Sequence, residues 1–330
     1  MSLKKNEIII LTGGAGFIGS CILAALNDRG HREIVVVDSL ASQDLLKKKN
    51  LENKTFQEYI DKKDFLRRIQ ANQFPTHLRC LIHMGACSST TLNDPHYYEE
   101  NNYLYSRTLA TWALKHRVSL IYASSAATYG DGSLGYSDDP TLIPRLQPLN
   151  HYGWSKQKLD VWLLNQGYLD KVVGLKFFNV FGPNEYHKGD MRSVVAKAYD
   201  RVGKEGQMAL FKSYKNGFGH GEQRRDFIYI NDAVKIVLYF FDHPQIHGIF
   251  NVGTGIPRTW NDLANALFAA VGKEPRIEYI DMPEHLKAQY QYCTQAEITK
   301  LRLNGFTHSF LSLEEAVQDY VRYLKELRHI

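Results

Sequence analysis

The 330-residue chain has no apolar run long enough to cross a bilayer, which excludes a membrane-spanning protein. The apolar run Ile8–Leu11, behind Met1-Ser2-Leu3-Lys4-Lys5-Asn6, is too short for a secretory signal. Only four cysteines occur, and Cys21, Cys80, Cys87 and Cys293 form neither a CxxC nor a Cys/His ligand spacing. That excludes a metal site of the usual kind and reads as free thiols in a reducing cytoplasm. Repeats, low-complexity tracts and an obvious linker are also missing. No charge of one sign dominates: the net charge is +5 and basic residues are interspersed with acids. This is no nucleic-acid footprint; it suits a protein that handles an anionic small molecule.

What is present is strand and helix in alternation. Glu7–Thr12, Glu33–Val37, Thr55–Tyr59, Arg79–His83, Ser119–Ala123 and Val172–Phe178 read as strands, rich in β-branched and apolar residues. Helical patterns lie between, from the Gly13–Gly19 turn to Asn27 and at Lys62–Ala71, Tyr97–His116 and Tyr152–Leu169. The order predicts an α/β fold, a doubly wound parallel sheet covered on both faces. Beyond Phe178 the pattern loosens into a loop, Asn179–Gly189, then a helix at Ser193–Gly203. Short strands at Arg225–Tyr229 and Ile249–Val252 flank a helix at Asp232–Phe241. Capping boxes at Thr259–Asp262 and Ser312–Glu315 open two more helices. The expected division is residues 1–178, with a return segment near 225–252, binding a dinucleotide. A smaller α+β lobe over 179–330 would mainly bind substrate across a cleft.

Gly13, Gly16 and Gly19 follow the first strand and open a helix. Glycines there permit a tight turn and bring backbone N–H groups to a pyrophosphate at a helix N-terminus. Asp38 ends the second strand nineteen residues after Gly19, near the spacing of an acid that meets a ribose hydroxyl. Asp38 alone favours NAD; Lys47, Lys48, Lys49 and Lys62 could instead supply charge for a 2′-phosphate, or be solvated surface lysines. Met84, Gly85, Ala86, Cys87 and Ser88 end the fourth strand with mostly small side chains that leave room for a cofactor over the sheet edge.

The chemistry centres on Tyr152 and Lys156, one helical turn apart on one face. An ammonium beside a phenol favours the phenolate, so Lys156 is expected to lower the Tyr152 pKa and make it a proton shuttle. Taken alone such a pair is common; it gains meaning from the glycine turn and from Ser124-Ser125 at the end of the fifth strand. Ser125, Tyr152 and Lys156 behind a dinucleotide turn specify hydride transfer at a carbinol carbon.

These residues resemble the extended short-chain dehydrogenase/reductases over essentially the whole chain. More closely the sequence resembles the ADP-L-glycero-D-manno-heptose 6-epimerase family. The resemblance is carried by Gly85–Thr91, Ser124–Gly130, Phe178–Pro183 and, most particularly, His187–Met191 and Tyr290–Gln295. It implies a Rossmann-type domain, tightly held NADP (NAD being the alternative), and inversion of C6 of ADP-D-glycero-β-D-manno-heptose through a 6-ketone, for lipopolysaccharide inner core. A homo-oligomer, with a pentamer as one form, is also implied. Because inversion needs a second proton carrier across the pocket, the resemblance assigns that role to Lys188, whose pKa desolvation near other cations would lower. It implies cofactor contacts from Phe17, Ile18, Asp38, Ser39, Lys47, Lys62, Asn102, Tyr152, Lys156, Val180 and Lys188. Substrate contacts would come from Ser125, Asn179, Asp190, Lys197, Phe211, Lys212, Ser213, Tyr214, Arg225 and Tyr290. Ser39 stands where the family has Asn, and Ala41–Lys49 is longer than its pattern, leaving Lys47, Lys48 and Lys49 as alternatives. A 4-epimerase would share Ser125, Tyr152 and Lys156 without needing Lys188. A dehydratase would need an Asp-Glu pair where Ala126-Ala127 stands. A catalytically inactive NADP-sensing regulator would tend to lose the Tyr and Lys that this chain keeps.

Overall fold

The computed structural model describes residues 7–39, 44–74, 77–90, 92–287 and 290–330. The first six residues, Met1–Asn6, the Ala41–Gln43 part of the lysine-rich stretch, and Thr91 of the Gly85–Thr91 motif lie outside the described residues. In chain order the strands are β1 (Ile8–Thr12), β2 (Ile34–Asp38), β3 (Glu58–Asp61), β4 (Leu78–His83), β5 (Ser119–Ser125) and β6 (Val173–Phe177). Then come β7 (Asn179–Phe181), β8 (Met208–Phe211), β9 (Arg224–Tyr229), β10 (Gly248–Val252), β11 (Pro257–Thr259) and β12 (Ile277–Ile280). The main sheet has the order β10-β6-β5-β4-β1-β2-β3, and every neighbouring pair is parallel. Strand order reverses between β1 and β4, the switch point at which doubly wound sheets open a crevice.

Alternation along the strands builds both layers. Ile9, Leu11, Ile34 and Val36 face one side, with α1 (Phe17–Asp28) and the later helix Ile230–Asp242. Ile10, Val35, Val37 and Leu81 face the other. The helices there are α3 (Lys62–Gln70), α5 (Tyr105–Lys115) and α6 (His151–Asn165), while α2 (Leu45–Lys49) and α4 (Pro95–Tyr98) are single turns at the crevice rim. Covered on both faces, these strands read as continuous apolar runs rather than as alternating ones.

Several expectations need correction. Tyr97–His116 is not one α-helix: α4 passes through a π-helical stretch, Glu99–Leu104, into α5. Asn179–Gly189 is not wholly loop, since it holds β7 and part of a 3-10 segment, Tyr186–Met191. Strands β8 and β12 pair in parallel and β11 joins β9, all three too short to show a period. Both capping boxes form, at Thr259 and at Ser312.

A buried polar seam crosses the main sheet below the crevice. Thr12 Oγ1 lies 2.6 Å from His83 Nδ1, and His83 Nε2 lies 2.8 Å from Ser106 Oγ. Burial, with the Lys156 charge adding to it, pushes the His83 imidazole down to about 3. The folded chain therefore refuses a proton that the unfolded chain accepts below its ordinary value of 6.5. Stability should fall as pH drops from 6.5 toward 3, by ~2 kcal/mol between pH 7 and 5 from this group alone. Urea unfolding of wild type and His83→Gln at both pH values checks this; equal pH dependence in the two proteins would refute it.

Candidate active site

The crevice starts at the glycine turn. Gly13 has φ +70°, and a Cβ there would stand 2.6 Å from Gly85 N. A Cβ on Gly19 would stand 2.1 Å from Gly13 O, so α1 can pack on the turn only with glycine. Gly16 begins α1 with no side-chain cap, which leaves first-turn amides for a ligand. Above it lies a cavity of about 330 Å³. Gly13, Gly16, Phe17, Ile18, Gly19, Met84, Gly85, Ala86, Ser88 and Val180 wall it, with Asp38 and Lys47 at one end. An adjoining cavity of about 160 Å³ shares Gly13, Asp38, Lys47, Gly85 and Ala86, and adds Ser39, Lys62 and Cys87. A glycine cradle over an uncapped helix start, continued by a groove with an acid and two lysines, fits a dinucleotide.

Asp38 accepts from Ala15 N at 3.0 Å, Ser39 N at 2.7 Å and Lys47 Nζ at 2.6 Å. Lys62 Nζ donates to Asn101 Oδ1 at 2.7 Å in the same groove. Of the three successive lysines, only Lys47 lines these two cavities. Asn102 stands behind them: it brackets Cys87 through N–H at 2.8 Å and C=O at 2.9 Å, and donates to Ser155 Oγ.

Ser125, Tyr152 and Lys156 line the larger cavity together. Asn150 caps α6 by accepting from Gly153 N at 2.8 Å, and this sets Tyr152 in the first turn. Lys156 Nζ donates to Ala123 O at 2.9 Å. Beneath it, fully buried Asp160 accepts from Tyr122 Oη, Ser124 Oγ and Lys176 Nζ, tying β5 and β6 to α6. Ser124 is thus turned to Asp160, whereas Ser125 Oγ accepts from Ala127 N at 3.1 Å and lines the cavity beside the Tyr152 phenol. The expected sign of the Tyr152 shift is corrected here. Burial pushes the phenol up, Ser125 opposes it, and Lys156 is not among the charges acting on it. Burial also pushes Lys156 down to about 8, against the pull of Asp160. Desolvation is the largest influence on both groups.

Lys188 comes from the 3-10 segment and lines the same cavity, its ammonium 5.3 Å from the Phe17 ring centroid. Its pKa is lowered by burial, as expected, with no contribution from the cations that the expectation also invoked, and Glu185 opposes the shift. Beside Tyr152 a third cavity of about 280 Å³ is lined by Ser125, Asn179, Arg225 and Tyr290. Tyr290 also walls an apolar cavity of about 340 Å³ with Lys197, Phe211 and Trp260. Arg225, nearly buried, holds its guanidinium 5.0 Å from the Tyr290 ring and 5.6 Å from the Trp260 ring. Asp190, Lys212, Ser213 and Tyr214 line none of these four cavities. Lys212 Nζ and Tyr214 Oη are instead drawn to the exposed carboxylate of Asp281, at 3.2 and 2.6 Å. Sequence reasoning passed over Phe177, His187, Asn101 and Trp260 as lining residues. Two of them carried a signal: His187 opens the His187–Met191 motif, and Trp260 is the first residue inside a capping box.

The parallel sheet, the glycine cradle and the Ser–Tyr–Lys set define an enzyme of the dinucleotide-dependent class. A family model for the NAD dependent epimerase/dehydratase family matches residues 9–253. ADP-L-glycero-D-manno-heptose-6-epimerase of Nitratidesulfovibrio vulgaris is 50% identical over 95% of this chain and 96% of its own length. The crystal structure of the Helicobacter pylori enzyme of the same name superposes with a TM-score of 0.80 at 28% identity, covering 97% of each chain. Thermus thermophilus UDP-glucose 4-epimerase, solved in complex with NAD, superposes at 0.74 with 26% identity, over 96% of this chain and 98% of that one. The chain belongs to the NAD dependent epimerase/dehydratase family, alongside members named ADP-L-glycero-D-manno-heptose-6-epimerase. A nicotinamide dinucleotide is accordingly its cofactor class. Among the described residues no helix is long and apolar enough to cross a membrane.

Proposed function

We propose that this chain inverts C6 of ADP-D-glycero-β-D-manno-heptose, giving the L-glycero sugar by way of a 6-ketone. The observation that carries the reading is that Tyr152 and Lys188, from different elements, line one cavity above the glycine cradle. A bound nicotinamide supplies the hydride chemistry at C6 that no side chain provides. Tyr152 Oη takes the C6 hydroxyl proton and Ser125 Oγ hydrogen-bonds the oxygen, while Lys156, anchored to Ala123 O, keeps a cation in the same cavity wall. When the ketone presents its other face, Lys188 Nζ delivers a proton to the new alkoxide. Each turnover moves one proton from Lys188 to Tyr152, and exchange with water resets the pair.

Lys47 and Lys62 in one groove, with Asp38 already neutralised by Lys47, favour NADP over NAD, since two cations can meet a 2′-phosphate. Arg225, Asn179 and Tyr290 would hold the sugar and diphosphate, with the base in the apolar cavity beside Phe211 and Lys197. Residues 1–178, with 225–252, would then bind the dinucleotide and 179–330 mainly the substrate. By relationship the chain would work in the cytoplasm toward lipopolysaccharide inner core, as a homo-oligomer; a monomeric mass in sedimentation would refute the last point. Incubation with ADP-D-glycero-β-D-manno-heptose, without added cofactor, should equilibrate the two C6 epimers by NMR. A C6 centre that stays unchanged, while UDP-hexoses are inverted at C4, would replace this reading with the 4-epimerase one.

A further inference from the structure

Three residues before Lys188 lies a carboxylate that the mechanism above leaves unused. Glu185 is fully buried. Its Oε1 accepts from Ser193 Oγ at 2.6 Å and from Tyr320 Oη at 2.9 Å, and its Oε2 accepts from Ser193 N at 2.6 Å. Gly182 N lies 3.5 Å from Oε1. Every one of these donors is neutral, and no lysine, arginine or histidine forms a salt bridge with Glu185 among the described residues. Burying a carboxylate is costly, and an amide or apolar side chain could fill the space. What sets this carboxylate apart is its place: the Lys188 backbone N–H donates to Glu185 O at 3.0 Å, so acid and amine share one turn.

We propose that Glu185 is a positioning residue for Lys188: it pins the turn that carries the amine to the helix starting at Val194 and to the C-terminal helix Leu313–Glu326, and supplies a fixed negative charge that keeps a proton on the amine until the ketone needs it. The proposal rests on the two-carrier reading above. Other titratable groups share the cavity with Lys188: His187 from its own turn, Tyr152 and Lys156 from α6, Asp38 from β2 and Lys47 from α2. Asp38 is already engaged by Lys47. Burial is the larger influence on both groups, raising Glu185 and lowering Lys188, and each opposes the other's shift: Glu185 raises Lys188, and Lys188 lowers Glu185. The donor set suits the anion, because three hydrogens already point at the two oxygens.

The test reads the amine directly. Trace labelling with acetic anhydride across pH, followed by mass spectrometry, reports the fraction of neutral Lys188 and needs no turnover. In Glu185→Gln the midpoint should fall by about one pH unit, the effect of losing one opposite charge. Glu185→Asp should bring it back toward wild type, and Tyr320→Phe, which removes a hydrogen bond but no charge, should leave it in place. A midpoint in Glu185→Gln equal to wild type, or one displaced equally by Tyr320→Phe, overturns the proposal. Should Glu185→Gln not fold, the wild-type chain decides. After reductive 13C-methylation the Lys188 resonance should show a second, acidic inflection as Glu185 titrates, and a single inflection overturns the proposal. Failure of the two-carrier reading would appear elsewhere, as undiminished epimerisation by Lys188→Ala.

Discussion

Tyr152→Phe should lose epimerisation almost completely, with kcat down by ~10²–10⁴, the range a positioned proton carrier contributes. The substitution deletes one oxygen and leaves the ring in its half-buried site in the first turn of α6, in the cavity wall with Ser125. Fold and cofactor retention should therefore be preserved, which dinucleotide released on denaturation would show by absorbance. Burial makes the wild-type phenol reluctant to ionise, so the rate that depends on Tyr152 should climb with pH through the neutral range. A Phe variant that kept more than a tenth of wild-type kcat would remove Tyr152 from the reaction.

Lys188→Ala should cost ~10²–10³ in kcat, because one of the two sugar faces is left without a proton carrier in reach. It should spare oxidation of the carbinol at the Tyr152 side. A variant carrying a labelled hydride donor should then still exchange label with the substrate at C6 while hardly changing its configuration. This asymmetry is the diagnostic, since a loop lysine of structural value alone would depress exchange and inversion together. The amine also sits over the Phe17 ring, so Lys188→Met, which keeps apolar contact there, should match Ala in rate. Full inversion by Lys188→Ala would favour a single-carrier enzyme of the 4-epimerase kind.

The alternation of strand and helix through Phe177, the glycine turn and the Ser125–Tyr152–Lys156 set are local patterns and were open to reading in the sequence. So was the candidate role of Lys188, though only through family resemblance. The direction of the Tyr152 shift was not legible, because it depends on burial, and burial is a property of the assembled fold. Tyr152 is the clear case: spacing predicted help from Lys156, whereas desolvation sets the shift and Lys156 takes no part in it. The Phe211–Tyr214 stretch divided for a similar reason. Phe211 closes β8 and reaches the apolar cavity, while Lys212 and Tyr214 are captured by Asp281, far along the chain and invisible to a local pattern. Asn102 reaches the groove only through Cys87, a contact that needs the π-helical stretch before α5.

The place of β10 has a consequence for how the chain is made. As residues emerge from the ribosome, β1 to β6 can assemble in vectorial order, but the outer edge of β6 has no neighbour until Gly248–Val252 appears. For that interval the nascent protein displays an apolar ribbon, Val173–Phe177, whose backbone groups invite pairing with another polypeptide. Truncations that stop short of Val252 should accordingly clump or recruit chaperones, whereas the finished chain shields that margin.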